Sequence, residues 1–149
     1  SWVSVEGEDD FYHRMCKKFE VLKDHGVTEH GRISHEELAK VMSQTKVWAY
    51  PTEFEEIFGI TAVKANAAHC TPVITDVAAL KETGGPVSKV IETDLIYSDE
   101  YSRKKFVDAV VKALKSDITD DDKNRQDKFV KQFAWSTVAK KWVGVIDES

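Results

Sequence analysis

Apolar residues recur along the chain at two distinct periods, and the changes between them lay out its elements. In residues 8–24, Phe11, Met15, Phe19 and Leu22 fall at helical spacing, with acids at the front and Gly26 just past the end, which predicts a helix. Val27 to His30 reads as a short strand closed by Gly31. Ser34-His35-Glu36-Glu37 has the form of a capping box, and Leu38, Val41 and Met42 form the apolar stripe of a second helix. Lys46 to Tyr50 reads as a strand stopped by Pro51, and a third helix is predicted from near Phe58-Gly59 to about Ala68. Pro72 to Thr75 has the composition of a buried strand, and Val90 to Glu92 follows as another after the Gly84-Gly85-Pro86 turn.

From about residue 98 the pattern is helical. Phe106, Val107, Val110, Val111 and Leu114 line one predicted face, and Phe129, Val130 and Phe133 a later one. Between them, Ser116 to Asp127 is acidic and reads as a solvated turn; Trp135 to Ile146 continues the helix or forms a last one. Strands alternating with helix-length connections predict an α/β fold, a Rossmann-like parallel sheet with flanking helices, in a single domain spanning residues 1–149.

Composition narrows the function classes. At 149 residues the chain has one-domain length, and its net charge of −5 argues against a phosphate-backbone binder, which needs a basic face. Cys16 and Cys70 lack metal-ligand or redox spacing, which fits reduced thiols in a cytoplasmic protein. His13, His25, His30 and His35 form no metal-ligand spacing with acids and read as surface or turn residues. No apolar run has the length of a membrane span, and no signal-peptide pattern is present. No Gly-x-Ser-x-Gly elbow, P-loop or Gly-x-Gly-x-x-Gly occurs, which argues against hydrolase, NTPase and dinucleotide-oxidoreductase readings. The chain opens on Ser1-Trp2-Val3 without Met, which reads as a piece of a longer protein.

The chemistry concentrates in residues 50–65, where a parallel strand ends and a helix begins. That is the carboxyl edge of an open α/β sheet, where such folds bind ligands. A helix start offers unpaired N–H groups and the positive end of its dipole, a seat for a diphosphate, and Gly59 would let a phosphate approach the backbone. Strand-turn-helix junctions are common, so these features alone also fit a plain structural turn.

The same stretch resembles the signature of glycosyltransferase family four, in which Pro-Ser precedes a Glu, then Gly-Phe-Gly-Leu-Pro, then a second Glu-Ala. Pro51-Thr52 is similar to the opening, Glu56 to the first acid, Phe58-Gly59-Ile60 to the phosphate-binding turn, and Ala65 to the residue after the second acid. Ala67 to Ile74 resembles the family's entry into the next strand, and Asp76 to Glu82 the loop that follows it. Upstream, Val27 to Ser34 followed by Leu38 resembles the strand, glycine turn and helix before the donor site.

The resemblance implies a partial carboxyl-terminal domain of a GT-B glycosyltransferase, retaining in mechanism, without a metal or other cofactor and with a nucleoside diphosphate sugar as donor. It implies that Glu56 stabilises positive charge at the anomeric carbon. The N–H groups of Phe58, Gly59 and Ile60 would hold the diphosphate, and Gly31 and Arg32 would lie beside the base. It also implies a missing amino-terminal acceptor domain, and two strands absent from this chain unless Trp2 to Val5 supplies a substitute; an unpaired edge predicts self-association.

Two positions depart from the family pattern. Lys64 stands where the second Glu accepts hydrogen bonds from the ribose; an ammonium only donates, so it either contacts ribose or phosphate, weakens the site, or is a solvated helix residue. His69 replaces a helix-ending Gly and reads as a strained cap. The rival readings are a non-catalytic module that binds a nucleotide sugar or a protein, and an unrelated doubly wound domain such as a flavodoxin-like receiver. The receiver lacks support, since no acidic pair follows an early first strand.

Overall fold

The computed structural model describes residues 8–93 and 95–147, with side chains from His13 onward, so the Trp2–Val5 strand and the Phe11 side chain lie outside the described residues. The chain divides into two compact units at the Ser34–His35 boundary.

The first unit is built on α1 (Glu8–Lys23). Its end is closed by Gly26 at φ 82°, whose N–H donates to the Lys23 carbonyl at 3.0 Å while the Val27 N–H reaches back to Leu22 at 3.1 Å. This closure explains why the strand expected at Val27–His30 does not form. The Val27 N–H is used to end the helix, and the Gly31 N–H is taken by the Glu29 carboxylate at 2.7 Å. Local bonds have replaced a ladder, and residues 27–30 are exposed.

The second unit runs α2 (His35–Ser43), β1 (Val47–Tyr50), α3 (Ile60–Ala67), β2 (Thr71–Thr75), α4 (Leu80–Thr83), β3 (Lys89–Ile91), α5 (Glu100–Lys115), α6 (Asp120–Lys131) and α7 (Trp135–Asp147). The three strands form a parallel sheet in the order β1-β2-β3, with Val47 opposite Thr71 and Val73 opposite Lys89. Among the described residues β1 pairs on one side only.

Period-two alternation along β2 sends its residues into different cores. Val73 packs with Ile96, Phe106 and Ala113 beneath α5, whereas Ile74 packs with Ala62 and Leu80 from α3 and α4. Trp48 and Tyr50 of β1 join the α3–α4 side, and Val47 joins the α5 side. Helices therefore cover both faces of β2, as a parallel strand requires.

Two expectations about the later helices are corrected. On α5 the buried positions are Ser102, Phe106 and Ala113, with Ala109 and Val110 beside them, while Val107, Val111 and Leu114 are exposed. Two overlapping apolar stripes were open to this helix. The observed rotation packs Phe106 and Ala113 on Val73 and Ile96. Its start is anchored where Asp99 accepts from the Ser102 N–H at 2.8 Å and the Thr93 hydroxyl donates to Ser102 Oγ at 2.9 Å. The acidic stretch 116–127 is mostly helix rather than turn. Thr119 and Asp122 form a capping box, and Asp120, Asp121 and Asp122 occupy the first turn, where the helix dipole favours negative charge.

One turn further on, Gln126 is completely buried. Its Nε2 donates to the Cys70 carbonyl at 2.7 Å and to Asn66 Oδ1 at 3.3 Å. Asn66 in turn donates to the Ala62 and Gly84 carbonyls at 2.9 and 2.7 Å. This small polar network ties α6, α3 and the turn after α4 together within a buried setting. Replacing Gln126 by Leu orphans the Cys70 carbonyl, so denaturant unfolding is expected to show a loss of about 1–3 kcal/mol. Gln126 Oε1 is buried without a partner among the described residues, so the substitution also removes a desolvation cost, and unchanged stability would mean that the network makes no net contribution.

Candidate functional site

The loop between β1 and α3 is held by the ends of the neighbouring strands. The Thr52 N–H donates to Thr75 Oγ1 at 3.2 Å, and that hydroxyl donates to the Thr52 carbonyl at 2.6 Å. The Phe54 N–H is taken by Thr52 Oγ1 at 2.9 Å. From the loop after β3, the Tyr97 N–H donates to Glu53 Oε1 at 2.6 Å and the Tyr97 hydroxyl to the Pro51 carbonyl at 3.2 Å. The loop lies at the carboxyl edge of the sheet, where the sequence pattern places it.

Gly59 opens α3 from a left-handed conformation, φ 66°, and provides no side-chain cap. The N–H groups of Ile60 and Thr61 find no acceptor among the described residues. The glycine's missing side chain has an inward use: a Cβ here would lie 2.8 Å from Leu80 Cδ2. Close packing against α4 and the positive φ thus account for this glycine. The neighbouring Phe58 ring sits edge-on to Phe133 at 5.4 Å, which fixes one side of the turn.

Glu56 lies in the loop, ahead of the helix, and is half-buried. Its N–H donates to the Phe54 carbonyl at 2.9 Å and its carbonyl accepts from the Ala79 N–H at 3.2 Å. Ala78, immediately before that donor, has φ 47°, a strained conformation for a non-glycine residue. The carboxylate accepts the Tyr50 hydroxyl at 2.8 Å, and Tyr50 stacks on Trp48 with ring centroids 5.2 Å apart. A cleft of about 190 Å³ is lined by Trp48, Tyr50, Glu56, Gly59, Ile60 and Thr61.

A second, apolar groove of about 550 Å³ runs between α2 and α3, with His35, Leu38, Met42, Ile60, Lys64 and Ala67 among its lining residues. Lys64 Nζ lies 3.2 Å from His35 Nδ1. An ammonium only donates, so this contact requires an unprotonated Nδ1. Ile60 borders both the Glu56 cleft and the Lys64 groove.

The structure therefore gathers Glu56, Gly59, Ile60 and Lys64 around the start of α3, with Phe58 in the turn before it. Gly31 and Arg32 belong to the first unit, where Gly31 has φ 61° and Arg32 is exposed. His69 is the left-handed residue at the end of α3, φ 57°, and its Nε2 meets Asp127 at 2.9 Å, consistent with a cap. Sequence reasoning missed Tyr50 and His35. The pairing of Tyr50 with Trp48 was accessible from strand alternation, but nothing local indicated that Tyr50 meets Glu56.

Among the described residues, no group of three or more His, Cys, Asp and Glu side chains could hold a metal ion, and no helix is long and apolar enough to cross a membrane. No family model matches the chain, and no curated protein matches it.

The Glu56 carboxylate, followed by burial, holds the Tyr50 phenol above its ordinary value of 10.0. A phenol whose pKa is raised on folding contributes stability that is present in full below the unfolded value and is lost as pH rises through the folded one. Glu56→Gln is expected to lower the titration of Tyr50 and to weaken this alkaline dependence. Ultraviolet difference spectra of tyrosinate, with Tyr50→Phe identifying the transition, would measure the shift. An unmoved Tyr50 titration would refute the coupling.

Proposed function

We propose that this chain is the nucleotide-sugar-binding part of a retaining glycosyltransferase of the GT-B type. The observation that carries the reading is a pair of hollows that share Ile60 at the start of α3, one lined by Glu56 and the other by Lys64, with the N–H groups of Ile60 and Thr61 unpaired among the described residues. In this reading the donor diphosphate sits on the helix start, where N–H groups and dipole favour an anion. The sugar extends toward Glu56, whose carboxylate stabilises positive charge developing at the anomeric carbon as the sugar leaves the diphosphate. The nucleoside extends along the groove that contains Lys64. Transfer requires an acceptor, which a separate amino-terminal domain would bring.

The acceptor-free alternative is a module that binds the nucleotide sugar, or a protein, without chemistry. The Lys64–His35 contact favours it, because a donor occupies the place where the family pattern has an acceptor. Free Cys16 and Cys70 fit a reducing, cytoplasmic setting in either case.

Titration with UDP and GDP, followed through backbone amide shifts, is expected to perturb residues 56–62. Shifts confined to another edge of the sheet, with these residues silent, would sink the reading. For Lys64, the groove position supports a contact with phosphate or ribose, so Lys64→Glu is expected to weaken nucleotide binding by about 1.5–3 kcal/mol in calorimetry. Tighter binding would instead identify Lys64 as a lost acceptor, and unchanged affinity a solvated lysine.

A further inference from the structure

Glu56 is fixed at both ends of its backbone, through its N–H to Phe54 and its carbonyl from Ala79. A fixed backbone still leaves the three torsions of a glutamate side chain free to carry the carboxylate out of the cleft. Tyr50 is the carboxylate's hydrogen-bond partner among the described residues, and it bonds Oε1 alone, at 2.8 Å. Oε2 has no such partner there. Tyr50 itself stands on a rigid base: it is the last residue of β1, and its ring stacks on Trp48 at an interplanar angle of 19°. The hydroxyl is thus carried by the sheet, while the glutamate it holds is carried by a loop.

We propose that Tyr50 is a positioning residue: its hydroxyl fixes Glu56 Oε1 and leaves Oε2 in the cleft for a hydroxyl-bearing ligand, with Trp48 holding the Tyr50 ring in place. This rests on the reading of Glu56 as the group that meets the donor sugar. A neutral phenol suits the role, since it donates one strong hydrogen bond to the carboxylate without cancelling its charge. A lysine or arginine there would neutralise the negative charge that the proposed chemistry uses.

Tyr50→Phe keeps the ring and its stack and removes only the hydroxyl. In carbon-13 relaxation measurements the Glu56 side chain is expected to become more mobile in this variant than in the parent protein. Calorimetry with UDP, UDP-glucose and GDP-mannose adds a second measurement. Affinity for the sugar nucleotides is expected to fall about tenfold further than affinity for the bare nucleotide, the size of one hydrogen bond to a charged group. Unchanged Glu56 mobility would overturn the proposal, as would an equal loss for nucleotide and nucleotide sugar, which a general structural role would produce. If the parent protein binds none of these probes, the glycosyltransferase reading fails, and Glu56 mobility still decides whether Tyr50 positions it. Should Tyr50→Phe not fold, the Tyr50 titration in Glu56→Gln tests the contact from the other side: a fall supports it and no change overturns it.

Discussion

Val73 and Ile74 are adjacent on β2, point to opposite faces, and are both fully buried. A strand in that position must be covered on both sides, and the rest of the second unit answers to that demand. α5 covers Val73 through Phe106 and Ala113, and α3 with α4 covers Ile74 through Ala62 and Leu80. Because α3 has to lie flat against the sheet, its contact positions are small: Ala62 and Ala65 have no exposed surface. Its starting end is then delivered to the carboxyl edge beside the β1–α3 loop, so the location of the candidate site follows from the burial of one strand.

The same demand explains how the glycine at the helix start is used. Leu80 must reach Ile74 and Ala62, and the route passes so close to Gly59 that a side chain there would strike it. A turn that resembles a phosphate cradle in sequence is also a packing requirement in three dimensions. Both roles are compatible, since the unpaired N–H groups belong to Ile60 and Thr61 and lie on the helix itself. A glycine at such a junction is therefore weaker evidence for a ligand than the hollows on either side of it.

β1, α3 and β3 were legible in the sequence because each carries its own punctuation, whereas α4, which packs on Gly59, begins inside the stretch 76–82 that the sequence pattern reads as a loop. Pro51 ends β1, Gly59 starts α3, and Gly84-Gly85-Pro86 separates α4 from β3. What escaped depended on choices between locally equivalent alternatives. Val27 follows a glycine as a strand residue would, yet its N–H closes α1. Val107 and Phe106 are both apolar neighbours, and the packing of Phe106 and Ala113 on Val73 and Ile96, with the hydrogen bonds at Asp99, Ser102 and Thr93, places Phe106 inward. Asp120 and Asp121 at the start of α6 are exposed, as the sequence suggests, but the glutamine four residues beyond Asp122 is buried against Asn66. Tyr50 and Glu56 are six positions apart along a loop, and no periodicity tells whether such residues meet.

The placement of the tryptophans gives the protein built-in optical reporters. Trp48 is half-buried against Tyr50 in the candidate cleft, whereas Trp135 and Trp142 on α7 expose 86% and 65% of their surface. A water-soluble quencher such as iodide reaches the two exposed indoles first and leaves the emission of Trp48 overrepresented. In a Trp2→Phe variant, which leaves Trp48 as the one indole besides those of α7, the light that remains reports on the environment beside Glu56, without any label being attached.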